Sequence, residues 1–129
     1  MYLVTANEMQ QMDRSTIESF GLPGRILMEN AGRGATQFFL EQFKDAKNKK
    51  VGVIAGRGNN GGDGFVIARY LAQKGIRVTV YLLSEHQKVS GDAAANLQLL
   101  SPLKVPVIEM PDATSFSAHQ TALRHEAIW

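Results

Sequence analysis

The stretch Gly56-Arg57-Gly58-Asn59-Asn60-Gly61-Gly62-Asp63-Gly64 concentrates five glycines, two adjacent amides and one carboxylate in nine residues. Glycine destabilises helix and strand interiors, so this run predicts a loop whose backbone conformation or bare surface matters. Free backbone N–H groups ahead of a helix attract anions, and missing side chains let a phosphate come close to them. Gly56 to Gly61 matches G-x-G-x-x-G, which alone is a weak pointer to a dinucleotide. Asn59 and Asn60 carry side-chain donors and acceptors and tolerate left-handed backbone, so they either bind a ligand or hold the turn. Asp63 is harder to fit beside a phosphate, because two unit charges ~4 Å apart repel by about 4 kcal/mol at an effective dielectric near 20. Three arrangements relieve that repulsion. The carboxylate caps the following helix, turns away toward a sugar hydroxyl, or has a cation between itself and the phosphate. The ribose-binding acid expected about 20 residues after a dinucleotide loop has Glu85 as its nearest candidate. No Gly-Lys-Ser/Thr follows, which excludes a P-loop.

The flanking residues decide where this run lies. Val51-Gly52-Val53-Ile54-Ala55 precedes it without polar alternation, as expected for a strand buried on both faces. Phe65, Val66, Ala68, Leu71 and Ala72 then predict a helix over 65–74 that stops at Gly75, and "RVTVYLL" from Arg77 predicts a second strand. Strand, loop, helix and strand form one βαβ crossover, whose strands should be parallel. A loop between a parallel strand and its helix stands at the carboxyl edge of the sheet, where α/β proteins usually bind ligands. Upstream, Thr5-Ala6-Asn7-Glu8 is a capping-box pattern opening a helix over about 5–19, and Gly21-Leu22-Pro23 interrupts it. A long helix to about residue 44 should follow, with Gly32 and Gly34 allowing close packing. Downstream come a helix over about 91–100, the strand "KVPVI" with Pro106 marking an edge or a start, and a helix near 113–124. Ala127-Ile128-Trp129 reads as the opening of another buried strand, so the domain is expected to be truncated there.

Other polar residues have bland readings beside any functional one. Glu29 and Asn30 could reach the site from the second helix or simply be solvated. Asp92 follows Ser90-Gly91 where a helix begins, so capping is the first expectation. Lys88 could reach a phosphate but reads as a solvent-facing loop lysine. His86, His119 and His125 lack metal-site spacing, and the five methionines suit core filling.

At 129 residues the chain fits one domain with a real core. Its 44% hydrophobic and 20% charged content is that of a globular protein, and no run of ~18 apolar residues suggests a membrane span. Fourteen Lys and Arg against twelve Asp and Glu give +2, with "KNKK" at 47–50 too short for a nucleic-acid tract. Zero cysteines exclude disulfides, thiolate catalysis and zinc–thiolate sites. The absence of cysteine does not by itself assign a compartment, leaving the cytoplasm only as the default. The start "MYLVTANEM" has neither the basic nor the long apolar region of a secretory signal.

"GRGNNGGDGFVIARYLAQKG" resembles the signature of the YjeF N-terminal family, the NAD(P)H-hydrate epimerases, whose N-N-G-G-D-G loop follows a buried strand. "TANEMQQMD", "LMENAG" at 27–32 and "SGDAAANLQLL" support it in order and spacing. The resemblance spans the chain, as the N-terminal portion of a single family domain. It implies an α/β fold, a Rossmann-like αβα sandwich with a mainly parallel sheet. The implied activity interconverts the R and S epimers of hydrated NADH or NADPH. Asn59, Asn60, Gly61, Gly62 and Asp63 would line the substrate site, with Asn60 also giving its side-chain oxygen to a potassium ion. The family's acid/base aspartate, in a V-D-A motif, is expected past Trp129. Expected partners are the dinucleotide substrate, a second copy of the chain, and a dehydratase domain, fused or separate; nucleic acid and membrane are not expected. A non-catalytic binding module is the alternative, since this fold includes scaffold-like relatives. An ordinary nicotinamide-dependent dehydrogenase is a third reading, disfavoured by the missing ribose acid and the Asn pair.

Overall fold

The computed structural model describes residue 3 and residues 5–129. Helix α1 (Ala6–Phe20) begins at the expected capping box, in which the Thr5 N–H donates to Glu8 Oε2 at 2.7 Å and the Glu8 N–H to Thr5 Oγ1 at 3.2 Å. It ends at Gly21, whose φ of 66° is the left-handed conformation that glycine adopts most easily. Pro23 then precedes α2 (Gly24–Gln42), where its fixed φ and missing N–H cost nothing. Strands β1 (Lys50–Ala55) and β2 (Arg77–Leu82) flank α3 (Asn59–Gln73), and α4 (Gly91–Gln98) leads to β3 (Val107–Glu109).

The three strands are parallel in the order β1-β2-β3, with Val51 opposite Val78 and Val80 opposite Val107. Side chains alternate across the sheet. Val51, Val53 and Ala55 with Val78, Val80 and Leu82 face α3, whose Phe65, Val66, Ala68 and Leu71 are buried against them. Each large side chain fully buried here contributes about 1.5–3 kcal/mol. The α/β fold with a parallel sheet and helical cover is therefore as expected.

Three boundaries differ from the sequence reading. Helix α3 starts at Asn59 rather than at Phe65, so most of the presumed loop is helical. Strand β3 covers only Val107–Glu109. Pro106, which has no N–H to donate, precedes it and accepts instead, its carbonyl taking the Val80 N–H at 2.9 Å. The last helix is two short ones, α5 (Ala113–Ala118) and α6 (Gln120–Arg124), broken at His119.

The chain then returns to the sheet on the free side of β1, where Ile128 bridges Val51 in parallel fashion and accepts the Gly52 N–H at 2.8 Å. On the face away from α3, the Trp129 indole lies over Gly52 and 5.5 Å from the Tyr81 ring, and the Tyr81 hydroxyl donates to Glu126 Oε1 at 2.8 Å. A Cβ on Gly52 would come within 2.3 Å of the indole, so this strand glycine makes room for the ring. Gly52→Ala should push Trp129 off the sheet. Because Trp129 is the single tryptophan, the emission maximum of the chain should move to longer wavelength; an unshifted spectrum would contradict the packing.

Candidate functional site

The glycine-rich run leaves the carboxyl end of β1 and enters α3 within three residues. Gly58 is the N-cap and supplies no side chain to the helix end. The first intrahelical bond runs from the Gly62 N–H to the Gly58 carbonyl at 3.0 Å. Among the described residues, no protein acceptor takes the backbone N–H groups of Asn59, Asn60 or Gly61. Open space lies beside Gly56 and Gly58. Unpaired donors at the positive end of a 15-residue helix are the kind of arrangement that attracts anions. The topology adds to this. The chain leaves β1 toward β2 but comes back after α6 to the opposite side of β1, so the strand order reverses at β1. The crevice at such a reversal is where open α/β sheets bind ligands.

Two glycines of the run serve packing. A Cβ on Gly61 would stand 1.8 Å from the carbonyl oxygen of Gly56, the residue after β1, so only glycine lets α3 begin so close behind the strand. A Cβ on Gly62 would meet Met28 Cε of α2 at 2.5 Å and Ala93 Cα of α4 at 3.2 Å, so three helices converge there. One turn further, Val66 occupies the space over Gly32 of α2, with 2.3 Å left for a Cβ. Gly32 thus has the close-packing role expected of it, whereas Gly34 faces open space.

Asn60 and Asp63 line a cleft of about 400 Å³ along the free edge of β1, together with Gly64, Ile54, Phe39 and Trp129. That volume is within the ~300–1,000 Å³ of small-molecule sites. Asp63 does not cap a helix, because it is the fifth residue of α3 and the cap is Gly58. Burial, and then the negative charge of Asp13 on α1, push its carboxyl above the ordinary aspartate value of 3.8. No Lys or Arg forms an ion pair with it among the described residues. Asp13 was given no role in the sequence reading, and helical periodicity alone carries no signal for its field at Asp63.

The remaining candidates are held by other partners. Glu29 pairs with Arg69 and accepts the Tyr70 hydroxyl at 2.6 Å, tying α2 to α3 and raising the Tyr70 pKa. Asn30 contacts Arg33 on the same helix. Asp92 is not the cap expected of it: Ser90 holds that position, and Asp92 lies in the first turn of α4, where its charge complements the helix dipole. Lys88 pairs with Glu85 at 3.6 Å, and His86 with Glu109 at 2.8 Å. No cluster of three or more His, Asp or Glu capable of holding a metal occurs among the described residues, and none of their helices is long and apolar enough to cross a membrane.

A family model described as YjeF-related protein N-terminus matches residues 24–128. The chain belongs to this family. Among curated relatives of this YjeF-related N-terminus, the bifunctional NAD(P)H-hydrate repair enzyme Nnr of Salinibacter ruber is 41% identical over 95% of the chain and 24% of the relative. The NAD(P)H-hydrate epimerase of Oenococcus oeni is 37% identical over 87% of the chain and 53% of the relative. The crystal structure of yeast ynu0, YNL200c, matches with a TM-score of 0.74 at 31% identity, covering 84% of the chain and 47% of that protein. The chain thus spans from about a quarter to about half of these relatives.

Two substitutions test the packing of this YjeF-related N-terminus. In a helix Gly→Ala gains about 1 kcal/mol of propensity, while overpacking costs typically 1–3 kcal/mol. Gly61→Ala meets rigid backbone and should cost at least about 2 kcal/mol by denaturant unfolding. Gly62→Ala meets mainly the flexible end of Met28, so its loss should be at least about 1 kcal/mol smaller. Equal losses would refute the distinction. Asp63 makes a pH prediction of definite sign. Its raised folded-state pKa means that the folded chain holds the proton more tightly than the unfolded chain. The penalty of the charged form is absent below pH 3.8 and develops as pH rises through the folded-state value. In potassium-free buffer, Asp63→Asn should therefore raise Tm at pH 7, and the gain should vanish toward pH 3. A gain independent of pH would refute the burial argument.

Proposed function

We propose that this chain is the N-terminal part of a cytoplasmic NAD(P)H-hydrate epimerase, which equilibrates the R and S epimers of hydrated NADH and NADPH. The observation that carries this reading is the set of Asn59, Asn60 and Gly61 amides, unpaired among the described residues, at the reversal point of the sheet, beside a half-buried carboxylate with no ion-pair partner among them. The epimerase names of the relatives support it. The amides would bind the diphosphate of the dinucleotide, and the oxygens of Asn60 and Asp63 would line the space around its reactive end.

The same residues suit a potassium ion. A hard cation takes oxygen donors, and here an amide oxygen and a carboxylate line one cleft. Burial and the charge of Asp13 act on Asp63, and no Lys or Arg among the described residues forms an ion pair with it. Bound there, potassium would offset the repulsion between Asp63 and the substrate phosphates. Asn60 would hold the ion, and Gly61 and Gly62 would keep the amide row seated against the strand. A second copy of the chain and a dehydratase are partners in this reading, the latter supported by the bifunctional names of relatives.

The test uses the complete gene product that contains this chain. Added to hydrated NADPH with unequal epimers, it should speed their equilibration, followed by chromatography. Asn60→Ala and Asp63→Ala should each slow it by roughly 10²-fold, the effect of removing one preorganised electrostatic contact. Replacing potassium by sodium should slow the wild type and leave Asn60→Ala little changed. Tight NADPH-hydrate binding with no change in equilibration rate would favour a non-catalytic binding module.

A further inference from the structure

The largest cavity described, about 740 Å³, is not at the glycine-rich run but at the other end of α3. It lies between the last turns of α2, the short 3-10 turn Ala46–Asn48 and the end of α3. At 1.5 Å per residue, the 15 residues of α3 separate it from the unpaired amides by about 22 Å. Leu40, Phe43 and Ile76 give it apolar walls. Four cations line it as well: Arg33, Lys44, Lys47 and Lys74. The single carboxylate among the lining residues is Glu41, whose Oε1 accepts the Gln37 amide at 3.4 Å.

The charge imbalance is local. The chain as a whole is only +2, and nearby Lys49 is neutralised by Asp45 at 2.9 Å. None of the four lining cations forms an ion pair among the described residues. Helix dipoles explain part of this, because Lys44 and Lys74 stand at the carboxyl ends of α2 and α3. They do not explain Arg33, in the middle of α2, or Lys47, in the 3-10 turn. An apolar cleft of this size with like charges gathered around it complements a ligand that is apolar at one end and negative at the other.

We propose that this cleft is a second small-molecule site, which binds an amphipathic organic anion. The apolar body rests on Leu40, Phe43 and Ile76, and the acidic group lies among Arg33, Lys44, Lys47 and Lys74. The proposal is independent of the epimerase reading, since no residue is shared between the two sites.

The probe is 8-anilinonaphthalene-1-sulfonate, compared with N-phenyl-1-naphthylamine, which has the same rings and no sulfonate. In ¹⁵N-HSQC titrations of the chain, the sulfonate should shift the amides of Leu40, Phe43, Lys74 and Ile76 saturably, leaving 56–64 unmoved. The neutral compound should bind at least about tenfold more weakly. The double variant Lys47→Glu with Lys74→Glu should weaken sulfonate binding about tenfold or more at unchanged Tm, and added salt should weaken it in the wild type. Three results overturn the proposal: shifts elsewhere or none, equal affinity for the neutral compound, or a double variant that binds like the wild type. NADP binding at the glycine-rich run, measured in parallel, reports separately on the other site.

Discussion

The structure depends on how closely the first two turns of α3 approach their neighbours. Only three residues separate β1 from the helix, and the third residue of α3 lies against the carbonyl of Gly56. At the next residue it touches Met28 of α2 and Ala93 of α4, and one turn later Val66 fills the space over Gly32. A single Cβ at Gly61 would force α3 away from the strand, and the whole helix would swing with it. Each glycine in a helix interior costs roughly 1 kcal/mol of propensity relative to alanine. The burial of Phe65, Val66 and Leu71 further along the same helix offsets that cost, at about 1.5–3 kcal/mol for each large side chain. Tertiary packing therefore decides where this helix starts, and the glycines make the packing geometrically feasible.

This balance explains which parts of the fold were legible in the sequence. The apolar runs 51–55 and 78–82 and the apolar set Phe65, Val66, Ala68 and Leu71 identify the βαβ unit correctly, but β1 is not buried on both faces as its lack of alternation implies, since Ile54, on the face away from α3, is 56% exposed. The start of α3 was missed because local propensity points the other way, and contacts with Gly56, Met28 and Ala93 are invisible to a window of neighbouring residues. The same contacts rule out one of the three arrangements open to Asp63, capping, because the helix begins four residues before it. Gly52 was readable in principle, since glycine inside a strand often marks a close approach, although the ring that fills the space comes from 77 residues later in the chain. The N-terminal capping box was read correctly because all its partners lie within four residues.

At the site, two electrostatic effects compete over Asp63. A carboxylate near a helix N-terminus gains from the dipole, but that gain fades beyond the first turn. Asp63 is in the second turn, half-buried, and feels the charge of Asp13, so desolvation and like-charge repulsion prevail. Meanwhile the amides ahead of it have no acceptor among the described residues. Positive and negative potential are thus held a few residues apart without cancelling each other. An uncomplemented amide row suits an anion, and an uncomplemented carboxylate suits a cation, which is the pairing a phosphorylated ligand with a bound monovalent ion would supply.

The two ends of α3 differ in how they treat charge. At the amino end the unsatisfied groups belong to the backbone, fixed in direction by the helix and by the glycines that seat it. At the carboxyl end they are long side chains, Lys74 from α3 with Lys44 and Lys47 from the segments beside it, gathered around an apolar cleft. Backbone donors cannot reorient, so the first arrangement favours a ligand of defined geometry. Lysines on flexible stems tolerate many acid groups, so the second favours a ligand class selected by charge and apolar bulk. A rigid, fully buried helix face joins the two, since Phe65, Val66, Ala68 and Leu71 are all packed without solvent contact. The packed face holds the two ends about 22 Å apart, so each keeps its own chemistry.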